Sequence, residues 1–309
     1  MMKEIKFESF DKKQLTCYLW DDVESPKGVI QFIHGMASYA SRSASFAEFL
    51  NKNGYIVFAD DHRGHGRTAS KGMLGIVGTD NFEYSVQDEI SITKMLKQQY
   101  NLPVQLFAHS YGSFLAQRYI ELSGNLIDGV LLSGSAHMGG KKLFFGKIIT
   151  SIEKLFRGVN KPDKILYNIA FKANNKFFLS DKIDNAWLNS DLDKVKNYND
   201  DPMCGYIMSV GFYYSLMRGL TEVYKEDNLK KIPKSLPIRI FSGMLDPVGG
   251  MGVKVIKLYD TYLKLGITNV KTKLYDNVRH EIISDTDSDK ILSDILEFYN
   301  SNLHRTEDK

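Results

Sequence analysis

The stretch that decides the fold is Val104-Gln105-Leu106-Phe107-Ala108-His109-Ser110-Tyr111-Gly112-Ser113. Its first part, VQLFA, is a short, nearly unbroken apolar run of the kind a strand buried on both faces requires. A helix-compatible segment, 111–123, follows at once. The pentapeptide between them holds a serine in a sharp strand-to-helix turn, with its hydroxyl projecting above the end of the sheet. Such a turn strains the serine backbone, so its neighbours must be small, and Ala108 and Gly112 meet that need. The usual spacing is G-x-S-x-G; Ala108 in the first position is the smallest available replacement. Pentapeptides of this kind also arise by chance, so its place between strand and helix carries the reading.

The same rhythm continues in both directions. Residues 28–33 (GVIQFI), 55–59 (YIVFA), 129–132, 237–241 (PIRIF) and 270–275 read as strands, and 14–20 (QLTCYLW) as an early, antiparallel one. Helices are expected at 43–53, 81–100, 253–265 and 289–303. Gly54 follows the first of these, where a left-handed residue ends a helix. The alternation implies a mostly parallel, doubly wound sheet flanked by helices, and with the serine turn it specifies the α/β-hydrolase fold. Residues 138–224 break the rhythm: they are dense in aromatics and contain no convincing strand. They are expected to form a helical lid inserted between sheet strands, leaving 1–137 and 225–309 as the core. The tail from His304 is expected to be disordered.

Composition excludes several classes. The chain is 43% hydrophobic and 25% charged, with a formal net charge of +3, which is ordinary for a globular protein and gives no basic stripe for nucleic acid. Cys17 and Cys204 lie far apart and form no C-x-x-C pattern. The first eight residues carry charges where a signal peptide needs an apolar core, and no apolar run reaches membrane-spanning length. A cytoplasmic protein is expected.

A serine hydroxyl needs a histidine to take its proton and a carboxylate to orient that histidine. In this fold the chain order is Ser, acid, His. The acid is Asp246, in the Gly/Pro-rich loop SGMLDPVG after PIRIF, at a strand's C-terminal end where ligands gather. The base is His280, in the loop after the last strand and the only histidine between Asp246 and His304. The loop after 129–132 (Ser133-Gly134-Ser135) has no carboxylate, and Asp276 is better explained by a local turn. The oxyanion hole is assigned to the backbone N–H groups of Met36, after His34-Gly35, and Tyr111; such donors are worth roughly 3 kcal/mol each. Asp60-Asp61-His62-Arg63-Gly64-His65-Gly66 groups carboxylates with histidines but fits no zinc spacing. We read it as a tight turn with Arg63 pairing to neighbouring loops. No metal and no organic cofactor is expected.

The strings FIHGM (32–36), DDHRGHGRT (60–68), LFAHSYGS (106–113), SGMLDPVGG (242–250) and NVRHE (277–281) resemble those of monoglyceride lipase and lysophospholipase-type α/β hydrolases, a grouping that overlaps the serine aminopeptidase-like set. Trp187-Leu188 and Asp201-Pro202-Met203-Cys204-Gly205 extend the likeness into the lid. The resemblance implies Ser110, Asp246 and His280 as triad and Met36 and Tyr111 as oxyanion donors. Departures are Ala108 and the loop Ala37-Ser38-Tyr39-Ala40, where related lipases usually carry Glu-His.

The expected reaction is ester cleavage through an acyl-enzyme, on a small-molecule ester with a single acyl chain such as a monoacylglycerol or lysophospholipid. Phe145, Ile149, Trp187 and Phe212 are the expected substrate contacts from the lid. Phe145, Ile148, Ile149, Ile152, Leu155 and Phe156 share one helical face, with Lys141, Lys142, Lys147, Lys154 and Arg157 around it. That stripe either packs the lid onto the core or makes transient contact with a lipid surface. The alternatives are an aminopeptidase, which needs an acidic anchor for the substrate amine, and a non-catalytic binding protein on the same scaffold.

Overall fold

In the computed structural model, which describes residues 2–303, eight strands form one sheet: β1 Lys3–Glu8, β2 Gln14–Trp20, β3 Gly28–Ile33, β4 Tyr55–Asp60, β5 Val104–His109, β6 Gly129–Ser133, β7 Ile238–Gly243 and β8 Val270–Tyr275. Their spatial order is β1-β2-β4-β3-β5-β6-β7-β8. β1 pairs antiparallel with β2 and β2 antiparallel with β4, while every later pairing is parallel. β1 is absent from the strands expected above. Its sequence KEIKFE carries a charge at every second position and lies at the sheet edge, largely exposed, where charged side chains protect the open ladder.

The helices are α1 Ala44–Lys52, α2 Asn81–Tyr100, α3 Tyr111–Ser123, α4 Lys141–Arg157, α5 Lys164–Ala170, α6 Leu192–Asp200, α7 Val210–Val223, α8 Glu226–Leu229, α9 Val253–Lys264 and α10 Ser288–Asn300. Gly54 adopts φ +86° after α1. The tail from 304, expected to be disordered, lies outside the described residues.

The two-residue period of a strand explains why the central strands are apolar throughout. On β3 and β5, Ile30, Phe32 and Phe107 join the cluster formed with α1 and α10. Ile33, Leu106 and Ala108 join the cluster on the opposite face, with α2, α3 and α9.

Between β6 and β7 the chain forms α4 to α8 and two 3-10 segments, Lys172–Asp181 and Ala186–Leu188, with no ladder beyond a single bridge, Pro162 to Ser209. α4 packs on α7 by its narrow side. Thr150 is buried, Gly146 leaves room for Met217, and the Lys154 ammonium lies 4.0 Å from the Tyr214 ring centroid. A second part of the insertion, with Phe171, Phe178, Trp187, Leu188 and Tyr198, packs onto Met36, Tyr39 and Val248 above the C-terminal ends of the strands.

Candidate active site

Ser110 sits between β5 and α3 with φ 54° and ψ −118°. This is a strained conformation for a residue with a side chain, costing about 1–3 kcal/mol. The surrounding backbone holds it there: Ser110 N–H donates to the Ser133 carbonyl at 2.9 Å, and Ser113 N–H donates to the Ser110 carbonyl at 2.9 Å. Gly112 is obligatory for a steric reason. A Cβ there would lie 2.3 Å from the Ile33 oxygen and 2.6 Å from the His34 oxygen. α3 therefore begins pressed against the end of β3, which brings the His34–Gly35 turn beside the serine. A Cβ on Gly35 would lie 3.3 Å from the Ser110 Cβ.

The loops after β7 and β8 are stitched together. Met244 N–H donates to the Tyr275 carbonyl at 2.8 Å and Leu245 N–H to the Val278 carbonyl at 3.0 Å. Gly243 permits this approach, since a Cβ there would sit 2.0 Å from the Val278 oxygen. The result places Asp246 Oδ2 2.9 Å from His280 Nδ1. Both residues are buried. Asp246 also accepts from Ser242 Oγ at 3.2 Å and from Val248 N–H at 2.8 Å. Burial alone would push its carboxyl upward, but the facing His280 and the Val248 N–H hold it below the usual carboxylate range. His280 Nε2 is buried with no hydrogen-bond partner among the described residues. The Trp187 ring lies 4.9 Å from the His280 ring, and Gly134 at φ +56° leaves room beside it, where a Cβ would lie 2.9 Å from His280 Cε1.

Ser110, His280 and Met36 line one cavity of about 290 Å³, with Phe32, Phe46, Phe171, Trp187 and Leu188 supplying apolar walls. Tyr111 N–H occupies the first position of α3, where a helix leaves its N–H unpaired and its dipole favours negative charge. Of the expected insertion contacts, Trp187 lines the cavity. Phe212 does not: it is buried against the rings of Tyr111 and His65. Phe145 and Ile149 face outward on α4, 58% and 37% exposed. The α4 stripe thus does not pack the insertion onto the core.

His109 lies between the elbow and His280, its ring 4.8 Å from that of His280 and its Nδ1 3.1 Å from Ser133 Oγ. Burial, then the neighbouring His280, depress its pKa to about 3. Arg63 pairs with Asp88 at 2.6 Å and Asp11 at 2.7 Å, tying neighbouring loops together. Sequence reasoning misses one feature of the cavity: Arg42 grips Glu281 with both guanidinium arms, at 2.5 and 3.0 Å. No local signal pairs residues so far apart in the chain; only the position of Glu281 beside His280 hints at it. Burial raises the Glu281 carboxyl, and Arg42 more than offsets this and holds it ionised.

The sheet, its strand order and the elbow define the class as an α/β hydrolase. The chain belongs to the serine aminopeptidase S33 family, whose model matches residues 24–287. A highly thermostable carboxyl esterase from Bacillus coagulans, solved in complex with glycerol, is similar with a TM-score of 0.89 and 27% identity, covering 98% of this chain and 99% of that one. Among characterised relatives, monoacylglycerol lipase of Mycolicibacterium smegmatis is 23% identical across 92% of both chains. Monoglyceride lipase of Rattus norvegicus is 25% identical across 76% of this chain and 71% of its own.

Proposed function

We propose that the protein is a serine hydrolase of carboxylic esters, with Ser110 as nucleophile, His280 as general base and Asp246 as the residue that orients it. The observation that carries this is the buried Asp246–His280 pair: His280, whose Nε2 has no partner among the described residues, lines the same cavity as the strained Ser110. In this reading Ser110 Oγ attacks the ester carbonyl as His280 Nε2 takes its proton. The tetrahedral oxyanion is held by the N–H groups of Met36 and Tyr111. Collapse expels the alcohol, which receives the proton from His280, and leaves an acyl-serine. Water, deprotonated by His280, then releases the acid and restores the hydroxyl.

An ester is favoured over a peptide with a free amino terminus. Among the described residues, Glu281 is the carboxylate lining the cavity, and Arg42 already neutralises it, leaving no free acidic anchor for an ammonium group. The activities named for the relatives, on monoacylglycerols and carboxyl esters, point the same way. In the same reading, residues 138–224 act as a lid, roofing the cavity with Phe171, Trp187, Leu188 and Tyr198. A cavity of about 290 Å³ lies at the small end of ligand pockets, so short to medium acyl chains should be preferred.

The outward face of α4 and α5 adds a second element. Leu155, Phe156, Ile165 and Ile169 are exposed, with the exposed Arg157 and Lys164 next to them in the chain, which suits transient contact with an anionic lipid surface. The test of the reaction is labelling with a fluorophosphonate and hydrolysis of nitrophenyl esters of graded length. Both should be lost in Ser110→Ala, while labelling retained in that variant would refute the assignment of the nucleophile.

A further inference from the structure

Below the His34–Gly35 turn lies a buried group the reaction does not use: His62, with Asp60 and Asp61 from the end of β4, Asp88 and Glu89 from α2, His34 from the end of β3, and His65 and Tyr111 nearby. His62 and His34 stack with ring centres 3.9 Å apart and planes 13° from parallel. Their contacts are reciprocal. The His62 backbone N–H donates to His34 Nε2 at 3.1 Å, and His62 Nε2 lies 3.1 Å from the His34 carbonyl oxygen. His62 Nδ1 faces Asp60 Oδ2 at 3.1 Å and Glu89 Oε1 at 3.4 Å.

A carbonyl oxygen only accepts, and an ionised carboxylate only accepts. Nε2 of His62 therefore faces an acceptor in the His34 carbonyl and Nδ1 one in the Asp60 carboxylate, and each nitrogen must carry a hydrogen to bond them. His34 is assigned by the same logic. Its Nε2 accepts from the His62 backbone, and its Nδ1 lies 2.8 Å from the Gly35 carbonyl, so it is the neutral tautomer with hydrogen on Nδ1. We infer that His62 is a positioning residue for the oxyanion hole: as an imidazolium it clamps the His34 carbonyl and so fixes the turn that presents the Met36 N–H. The inference rests on the serine hydrolase reading above.

The surrounding charges agree. Burial works against ionisation of both Asp60 and His62, but each stabilises the other, so Asp60 is held below and His62 above its ordinary value. Burial and the adjacent Asp60 drive Glu89 far upward, keeping it a neutral acid that hydrogen-bonds Asp60. His62 and Asp60 thus form a cation–anion pair, and Asp61 adds to the field that favours the imidazolium. Glu89 is anchored in turn by Gln31 Nε2 at 2.6 Å, and Gln31 by Thr93 Oγ1 at 2.6 Å. The clamp is built from β3, β4 and α2 together, which makes it stiff. The His34 oxygen also lies where a Gly112 Cβ would reach it, so the clamped carbonyl sits directly against the start of α3.

The decisive measurement is 15N NMR of the full chain labelled at histidine nitrogens. Both His62 ring nitrogens should remain protonated at pH 7.5; a neutral imidazole there would overturn the inference. One equivalent of a divalent cation retained by the purified protein, found by elemental analysis, would overturn it too if it perturbs the His62 nitrogens, because an ion on Nδ1 leaves no hydrogen there. In kinetics, His62→Leu should lower kcat about 10- to 100-fold with little change in KM, the signature of a misplaced transition-state donor. Inhibition by a trifluoromethyl ketone should weaken by a similar factor, and His62→Gln, which keeps one side-chain donor, should recover part of the loss. A defect carried by KM instead would count against the clamp. If His62→Leu does not fold, the NMR result decides. Fluorophosphonate labelling of the wild type separates the two ideas: without it the hydrolase reading fails, whatever the state of His62.

Discussion

Replacing Asp246 with asparagine changes one buried atom and tests the proposed base directly. Asp246 uses Oδ1 to accept from Val248 N–H at 2.8 Å and Oδ2 to accept from His280 Nδ1 at 2.9 Å. In Asp246→Asn the amide oxygen stays opposite Val248, because turning it around would bury two facing N–H groups, a cost of about 1–3 kcal/mol. The NH2 group then faces His280 and requires a bare Nδ1. The ring hydrogen moves to Nε2, where it points toward the serine and blocks proton acceptance. Asp246 is fully buried, so no solvent can mend the mismatch. In serine proteases the same exchange, which leaves the geometry intact and fixes the wrong tautomer, lowers kcat about 10⁴-fold, and we expect the same order here. At about 1.4 kcal/mol per decade that is roughly 5 kcal/mol of barrier.

The assay is hydrolysis of a nitrophenyl ester with kcat and KM separated, beside Asp276→Asn, an exposed carboxylate, as a control that should stay within about 2-fold of wild type. A loss below about 30-fold in Asp246→Asn, well short of the tautomer effect, would mean that another group orients His280 and would refute the reasoning.

Three further outcomes follow from the same geometry. Gly112→Ala, whose Cβ would meet the Ile33 oxygen at 2.3 Å, should destabilise the protein by about 3 kcal/mol, read as a lower midpoint in urea. Stability should fall on acidification from pH 6.5 toward 4. Burial holds His65 and His109 neutral down to about 3 and His137 down to about 4, so the unfolded chain binds protons there that the folded one refuses. His62 works in the opposite sense, its contribution complete below about 6.5 and lost as pH rises through its elevated value. Urea midpoints at pH 7.5, 6 and 5 check the sum, and a flat profile would contradict it. Phe156→Glu, at a side chain 80% exposed, should leave stability within about 0.5 kcal/mol while reducing co-sedimentation with anionic vesicles.

Much of this is legible in the chain because the chemistry is local. A strand buried on both faces must be apolar throughout, which is why GVIQFI, YIVFA and VQLFA can be placed. A strained serine needs small neighbours, and the loop after β8 offers one histidine to pair with Asp246. What escapes reading depends on distance or orientation. The Arg42–Glu281 pair joins residues from opposite ends of the chain, and nothing in either neighbourhood announces the other. Phe212 and Phe145 are both aromatics in amphipathic helices. Only the packing decides that Phe212 turns inward under Tyr111 while Phe145 faces out. β1 escapes because an edge strand protected by alternating charges resembles a solvated segment. His62 reads as part of a tight turn, and its reciprocal bonds to His34 become visible only when β3 and β4 lie side by side.

The seam between the insertion and the loop that carries His280 has a consequence for how such a chain can change over time. Glu281 N–H donates to the Leu188 carbonyl at 2.8 Å, and Arg279 Nη1 donates to the Ala186 carbonyl at 2.7 Å. Ser190 Oγ donates to the Asn277 carbonyl at 3.0 Å, while its N–H reaches Asp285 at 3.1 Å. The stretch from Ala186 to Ser190 therefore belongs mechanically to the loop that carries His280, although in sequence it lies inside the insertion. A graft that exchanged the whole insertion for another would carry away these contacts to the loop of His280. Remodelling confined to α4 and α5 would leave that support in place and the cavity walls untouched, so the outward surface of the insertion can drift freely, while any change of its second half alters the walls and the support together.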